Sequence, residues 1–381
     1  MKPLGNVKSR SVNLDIIRCV AVFSVVSIHF FLNNGFYKTK VVGEKMFLLV
    51  LGQTFFSVCV PLFMILTGYL MSRKTLSAGF YKGIVKTLGI YVLASIVCLL
   101  FKYLYLHQPI TAKTAFFGIL DFTGANYAWY IEMYIGLFLF IPFLNILYAG
   151  LRSQKQKLWL IATLIICTVL PTLLNNFDLV TEGWFRNPPM SKDYTELVPN
   201  WWDRVYPFTY YFIGAYLREY DIKIRKRTNL LLLGGSVLLF SVFNYYRSYR
   251  STYDRGTFIQ WGGFETLILT VLLFVLLNHL KTDRLPAWIK AGFAKISDIS
   301  LGIYLISYVF DQIFYPFLLE NVPKMTSRLP YYLVIVPCVF LFSAAVSSLL
   351  NIVYSGIEKL VIHCKKIICT RMVKKLSGSN G

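Results

Sequence analysis

The 381-residue chain is 56% hydrophobic, 17% aromatic and only 15% charged, and its mean hydropathy is +0.57. Soluble domains carry roughly 25% charged residues, so this low charged fraction indicates a protein embedded largely in a lipid bilayer. The formal net charge of +21 does not indicate nucleic-acid binding, because the basic residues stand in short runs between apolar stretches and form no basic stripe with stacking aromatics. The cysteine spacing contains no metal-ligand motif, so we predict no metal site.

Runs of about 17–25 apolar residues predict ten transmembrane helices. In chain order they cover residues 13–32, 47–71, 84–104, 129–149, 158–174, 205–217, 229–246, 257–280, 299–319 and 331–355. The sixth run is short, and Pro61 in the second run predicts a kink there. The predicted fold is an all-α polytopic membrane protein, a bundle of about ten transmembrane helices. We place a membrane domain over residues 1–356 and a basic cytoplasmic tail over residues 357–381.

The basic residues between these runs are unevenly distributed. The N-terminal segment, the even-numbered loops and the C-terminal segment together carry about twice as many Lys and Arg residues as the odd-numbered loops. By the positive-inside rule, this bias predicts that both termini are cytoplasmic, as an even number of spans requires. The longest external connection, about residues 175–204, contains Trp184, Trp201 and Trp202. These side chains could stack on sugar rings or anchor the loop at the membrane interface.

The first apolar run contains two residues that are costly inside a membrane, Arg18 and His29. They lie eleven positions apart, close to three turns of an α-helix, so both side chains face the same way with about 16 Å between their backbones. A guanidinium can hold phosphate bidentately, and an imidazole can accept the proton of an incoming hydroxyl. The spacing therefore suits a long phosphate-bearing thioester that lies along the helix. Arg18 could instead reach the headgroups or pair with Asp15, and His29 could be a structural histidine.

Other charged residues lie within or at the ends of the predicted spans. Glu132 lies at about the depth of the imidazole, where a carboxylate could hold it in one tautomer, or it could simply face water. Arg73 and Lys74 end the second span and could help to hold phosphates, or could act only as positive-inside signals. Glu265 and Asp311 could bind acceptor hydroxyls or pair with each other.

Five segments carry recognisable motifs in order along the chain. They are Asn-Leu-Asp-Ile-Ile-Arg-Cys at 13–19 leading to Ser-Ile-His at 27–29, VPLFMILTGYL at 60–70, WYIEMYIGLFLFIPFLN at 129–145, YPFTYYFIGAYL at 206–217 and SLGIYLIS at 300–307. Together they resemble the acyltransferase-3 family of membrane acyltransferases, and the ordered match runs over about residues 13–350. Position 307 departs from the family pattern because it is Ser where such proteins often carry His, so we assign no catalytic role to it.

The resemblance implies acyl transfer, commonly acetyl transfer, from acyl-CoA to hydroxyls of cell-surface carbohydrates or related small molecules. In that family the arginine and histidine of the first helix are the functional pair, and we carry these roles over to Arg18 and His29 only. The implied donor is acetyl-CoA, and the implied acceptor is a cell-envelope glycan or a lipid-linked sugar. The chain would act in the lipid bilayer of the plasma membrane, alone, as a homo-oligomer or with a separate transferase partner.

A transporter or flippase for a lipid-linked saccharide is the alternative interpretation. A ten-helix bundle with intramembrane charges and a long external loop is compatible with it. Transporters of this type often have broken helices at matching positions of two halves, and the sequence shows no such pair. Release of free CoA from acyl-CoA would distinguish the enzyme from the transporter.

Overall fold

The computed structural model describes residues 10–180, 182–183, 194–253 and 260–377, and for residues 365–377 it describes the backbone alone. Regular structure in these residues is helical, apart from two isolated β-bridges. The α-helices are, in chain order, α1 (Val12–Asn33), α2 (Glu44–Phe56), α3 (Cys59–Met71), α4 (Ala78–Lys82), α5 (Val85–Leu104), α6 (Ala112–Leu120), α7 (Trp129–Gly150), α8 (Gln154–Thr168), α9 (Leu170–Leu174), α10 (Tyr206–Tyr220), α11 (Lys226–Arg247), α12 (Phe264–Asn278), α13 (Ala287–Asn321) and α14 (Tyr332–Ser377).

Among the described residues, eight helical segments are long and apolar enough to cross a membrane. They are Val12–Lys38, Glu44–Met71, Ala78–Leu104, Trp129–Gly150, Gln154–Leu174, Lys226–Arg247, Ala287–Asn321 and Met325–Cys364. The prediction of an all-helical polytopic membrane protein is thus confirmed. The sixth and eighth predicted spans are the shorter helices α10 and α12, each of 15 residues. At 1.5 Å per residue each extends about 22 Å, which is less than the roughly 30 Å of a bilayer core.

Some predicted spans consist of two helices rather than one. In the second span the chain breaks at Ser57 and Val58, between α2 and α3. Pro61 lies in the first turn of α3, where its missing N–H would have no partner within the helix. The kink predicted at Pro61 is therefore a complete break just before it. The fifth span is divided in the same way, into α8 and α9, whereas the third is the single helix α5, with the short α4 just before it.

Helix α1 lies inside the bundle, in contact with α2, α3, α12, α13 and α14. It runs parallel to α13, because its early residue Arg18 contacts Ser297 and its late residue His29 contacts Ser307. Two ends of the bundle follow from this direction. We call the end where α1 begins the Arg10 end and the end where it finishes the His29 end.

Contacts between helix termini assign the other helices to these ends. At the Arg10 end, Asn13 Nδ2 donates to the Asn278 carbonyl oxygen at 2.7 Å, so α12 finishes where α1 begins. His279, just after α12, contacts Asp221, just after α10, at 3.0 Å. At the His29 end, the Val41 backbone N–H donates to the Ser251 carbonyl oxygen at 2.8 Å, which joins the α1–α2 and α11–α12 connections. Helix direction thus alternates across the bundle.

Close packing of α3 against α10 depends on two glycines. A Cβ atom added at Gly68 would overlap the Tyr211 carbonyl oxygen, and one added at Gly214 would overlap the Ile65 carbonyl oxygen. In lipid, the hydrophobic effect does not drive apolar helices to associate. Membrane helices are therefore stabilised by van der Waals packing where their backbones approach this closely. Asn145 of α7 completes the crossing, because it accepts a hydrogen bond from Tyr211 Oη at 2.6 Å.

The C-terminal helix passes the predicted domain boundary without interruption. Helix α14 continues to Ser377, so no helix end marks residue 356. The division into a domain over 1–356 and a tail over 357–381 stays a prediction. In the 175–204 connection, Trp201 and Trp202 are exposed, while Trp184 lies outside the described residues.

Candidate active site

Arg18 lies in the first half of α1 and is partly buried. Its Nη1 donates a hydrogen bond to Ser297 Oγ of α13 at 2.8 Å. Asp15, the alternative partner considered from the sequence, is instead bound by Arg10, whose Nε and Nη2 donate to its two carboxylate oxygens at 2.7 Å. Within the described part of the chain, Arg18 thus makes its hydrogen bond to a hydroxyl and none to a carboxylate. Its remaining N–H donors are available for an anion.

A second carboxylate lies beside Arg10. Arg10 Nη2 also contacts Asp298 Oδ1 at 2.9 Å, which ties the start of α1 to α13. Hydrogen bonds from Arg10 to Asp15 and Asp298 raise the pKa of the Arg10 guanidinium further above its usual value. Arg10 therefore stays cationic and holds both carboxylates at the Arg10 end of the bundle.

A cavity of about 220 Å³ lies beside Arg18. Side chains of α1, α3, α5, α7 and α13 line it, and most of its surface is apolar. Its polar groups, besides the guanidinium, are the hydroxyls of Thr67, Thr87, Tyr130, Tyr134, Ser300 and Tyr304. Such a lining suits a slender, mostly apolar chain.

His29 lies near the other end of α1 and is 6% exposed. Its Nδ1 is 3.2 Å from Asp311 Oδ2 and 3.2 Å from Ser307 Oγ, both on α13. Asp311 is fully buried. Residues 307 and 311 are one helical turn apart, so both side chains reach the imidazole from the same face of α13. Burial of a carboxylate is costly unless it is paired, and the imidazole lies at ion-pair distance from Oδ2, while Oδ1 has no hydrogen-bond partner among the described residues.

These contacts determine the tautomer of His29. Ser307 Oγ donates its proton to the Tyr304 carbonyl oxygen at 2.8 Å, so towards the imidazole it can only accept. The carboxylate of Asp311 also only accepts. Nδ1 of His29 must therefore carry the proton, shared between these two oxygens. In the neutral imidazole, Nε2 then has the free lone pair that a general base requires.

Tyr127, in the turn before α7, completes this polar cluster. Its hydroxyl donates to Asp311 Oδ2 at 2.9 Å and accepts from Asn33 Nδ2 at 3.2 Å. Its ring lies against the imidazole, with the ring centroids 3.9 Å apart and the planes at 37°. Tyr127 thus restrains both the carboxylate and the imidazole, which fixes the direction of Nε2.

The cavity ends one helical turn before the imidazole. On α1 the last cavity residue is Val25, four positions before His29. On α13 it is Tyr304, and on α7 it is Tyr130, each about one turn from the polar cluster. One turn is about 5 Å. The rings of Tyr130 and Tyr304 meet edge to face here, with centroids 6.1 Å apart and planes at 89°. Arg18 and His29 thus lie along one line, with this aromatic pair between the cavity and the imidazole.

The structure gives the position beside the imidazole to Asp311 and not to Glu132. Glu132 lies in the first turn of α7 and is exposed. Its side chain makes no hydrogen bond or ion pair with any described residue. The orienting role considered for Glu132 stays a prediction without a supporting contact. Glu265 and Asp311 do not pair with each other, since Asn244 Nδ2 donates to Glu265 Oε2 at 2.8 Å.

Arg73 and Lys74 follow α3 at the Arg10 end and are both exposed. The cavity lining reaches Met71, two residues earlier, so both cations lie near its mouth. Asn145 Nδ2 donates to the carbonyl oxygens of Met71 and Lys74, at 2.8 and 2.7 Å, and so fixes this turn. Neither cation lines the cavity, and their phosphate-binding role remains a prediction.

These features define a class of protein. It is a helical polytopic membrane protein whose central helix α1 carries a buried histidine, paired with a carboxylate, and an arginine that lines a cavity. A family model described as an acyltransferase domain, that of the acyltransferase-3 family, matches residues 11–348. The match covers nearly the whole chain, so the protein belongs to this family and is a membrane acyltransferase. This confirms the family membership predicted from the sequence motifs. Comparison with curated proteins and with solved structures gives no match.

Proposed function

We propose that the protein transfers an acyl group, acetyl in the simplest case, from acyl-CoA to a hydroxyl of a cell-envelope carbohydrate. The observation that carries this proposal is the buried His29, whose Nδ1 contacts Asp311 and Ser307 while its Nε2 has no partner among the described residues. An imidazole held in this way is a competent base for a hydroxyl group. The acyltransferase-3 membership supports acyl transfer in general.

In the proposed reaction the donor enters from the Arg10 end, which faces the cytoplasm of a plasma-membrane protein. Arg18 binds a donor phosphate, with Arg73 and Lys74 near the mouth. The mostly apolar cavity takes the thioester arm, and the nucleotide end of the donor stays at the Arg10 end. Residues 18 and 29 are separated by about 16 Å of helix, and a pantetheine arm spans that distance. The Tyr130 and Tyr304 rings must move for the thioester to reach the imidazole.

The chemical step needs a base and a returned proton. Nε2 of His29 takes the proton as the acceptor O–H bond breaks, and the oxygen forms an ester bond to the acyl carbon. The C–S bond then breaks, and the imidazolium returns the proton to the CoA thiolate. Asp311 stabilises the imidazolium throughout. Alignment of donor and acceptor supplies much of the remaining rate enhancement.

Thiol release by purified protein with acetyl-CoA and envelope glycan tests this function. We expect His29→Ala to lower the rate by roughly 10²–10⁴-fold, the range for loss of a general base. His363→Ala, at an exposed position on α14, is the matched control and should retain activity. Wild-type rates in a folded, membrane-inserted His29→Ala protein would refute the role of His29. A transporter would release no thiol in any of these proteins.

Donor recognition is tested with Arg18→Ala in the same assay. Loss of a charge-assisted hydrogen bond to phosphate should raise the KM for acetyl-CoA roughly tenfold or more, with little change in the KM for the acceptor. Arg284→Ala removes an exposed cation and serves as the control. An unchanged donor KM in Arg18→Ala would refute the phosphate role. Mass spectrometry of the glycan product identifies the acyl group and the modified hydroxyl.

A further inference from the structure

The cavity guanidinium has a competing carboxylate close by on its own helix. Asp15 precedes Arg18 by three positions on α1, a spacing at which helical side chains meet. Ser297 lies between them, because its hydroxyl accepts a hydrogen bond from Arg18 and is within hydrogen-bonding reach of the Asp15 carboxylate. Asp15 is only 5% exposed, so water does little to screen its charge. An Asp15–Arg18 ion pair would occupy the guanidinium that the proposed donor needs.

Arg10 prevents that pairing. Its Nε and Nη2 reach both oxygens of Asp15 at 2.7 Å, the fork-to-fork arrangement that arginine forms with carboxylates. The other carboxylate nearby, Asp298, is 52% exposed and also binds Arg10. Both acidic groups at this end of the cavity are thus held by one arginine outside it.

We propose that Arg10 is a positioning residue for donor binding: it sequesters Asp15 so that Arg18 remains free for the anionic group of the donor. This inference rests on the proposed function, in which Arg18 binds a donor phosphate. Without Arg10, Asp15 would be a buried carboxylate without its ionic partner, a state costly enough to draw Arg18 towards it. The donor would then compete with an internal carboxylate for the same N–H groups.

The test is a double-mutant cycle on the full-length protein in detergent. Arg10→Ala should raise the KM and the dissociation constant for acetyl-CoA roughly tenfold, with kcat at saturating donor unchanged. Asp15→Asn alone should not weaken donor binding. Arg10→Ala combined with Asp15→Asn should restore the value of Asp15→Asn, because the buried carboxylate no longer competes and the remaining one, Asp298, is 52% exposed and screened by water. Restored donor binding would show that Arg10 acts through Asp15. If Arg10 only held α1 against α13, Asp15→Asn would not restore donor binding.

Lys290→Ala is the matched control for general attraction of the anionic donor. Lys290 is a cation at the same end of the bundle, and its Nζ donates to the Asp283 carbonyl oxygen rather than to Asp15. It should leave the donor KM within about twofold of wild type. The inference is overturned if Arg10→Ala leaves donor binding unchanged, or if Asp15→Asn fails to restore it. If Arg18→Ala itself leaves donor binding unchanged, the proposed function fails at that residue instead.

Discussion

The imidazole of His29 depends on a carboxylate from another helix. Asp311 Oδ2 lies 3.2 Å from His29 Nδ1 and accepts a hydrogen bond from the Tyr127 hydroxyl, so both of these contacts depend on the cluster being intact. Asp311→Asn would keep the shape but could present an N–H to Nδ1. The proton would then move to Nε2, which would no longer be a base.

We therefore expect Asp311→Asn to lower kcat by roughly 10²-fold or more while the donor KM stays nearly constant. Steady-state kinetics of the purified variant measure both quantities, and thermal unfolding shows whether the protein is intact. Asp283→Asn is the control, since this exposed residue contributes its carbonyl group rather than its carboxylate to Lys290. A well-folded Asp311→Asn protein with wild-type kcat would exclude an orienting role for the carboxylate.

At this scale the sequence predicts Arg18 and His29 but not the carboxylate. Spacing along one helix determines which residues share a face, so the two α1 residues could be paired in advance. Glu132 and Asp311 both lie in apolar spans, and the rotation of each helix decides which of them faces α1. Asp311 faces α1 and is fully buried, whereas Glu132 faces outwards. In the sequence, the available indication of Asp311 is that it follows Ser307, the last residue of the motif at 300–307, by one helical turn.

At the scale of helices, three of the family-like motifs coincide with close helix crossings. Gly68, Gly214 and Gly302 each lie in one of them, and a Cβ atom at any of these positions would overlap a neighbouring helix. For Gly302 the neighbour is the side chain of Ser347 on α14. The motifs thus record packing constraints as well as chemistry.

Gly68→Ala should destabilise the protein by about 1–3 kcal/mol, the range for overpacking against a rigid backbone. Gly214→Ala should act similarly, and the double variant should be less than additive because both affect the α3–α10 crossing. Thermal unfolding in detergent provides the measurement. Gly234→Ala on α11 is the control, since nothing lies within 4 Å of an added Cβ there. Equal stability of Gly68→Ala and Gly234→Ala would contradict the crossing.

Hydrophobic runs predict most helices but not where they break or extend. The runs locate α1, α7 and α11 to within a few residues, because a lipid-spanning helix must be apolar along its length. They miss α6 and the first part of α13, Ala287–Asp298, which are too polar or too short to register as spans. They also miss the break at Ser57, which depends on packing rather than on composition.

At the scale of the whole molecule, alternating helix directions place both described ends of the chain on one side. Helix α14 runs antiparallel to α13, since Tyr332 contacts Ser27 near the His29 end and Ser347 contacts Ile299 nearer the Arg10 end. Its later residues therefore emerge at the Arg10 end, with the start of α1. The basic loops predict that this side is cytoplasmic.

Labelling of single-cysteine proteins in oriented vesicles tests this arrangement. Cys364 is exposed on α14, and Glu196→Cys would be exposed in the 175–204 connection. A membrane-impermeant maleimide should label only the position-196 cysteine in right-side-out vesicles and only Cys364 in inverted ones. Detergent should expose both. Labelling of both positions from one side would contradict the predicted topology.

The edge-to-face contact of Tyr130 with Tyr304 has a consequence for an enzyme with an activated donor. A thioester that stops beside these rings stays about one helical turn short of the imidazole. With the rings in contact, the protein would then protect the bound donor from unproductive hydrolysis. Donor cleavage would begin only when the rings part.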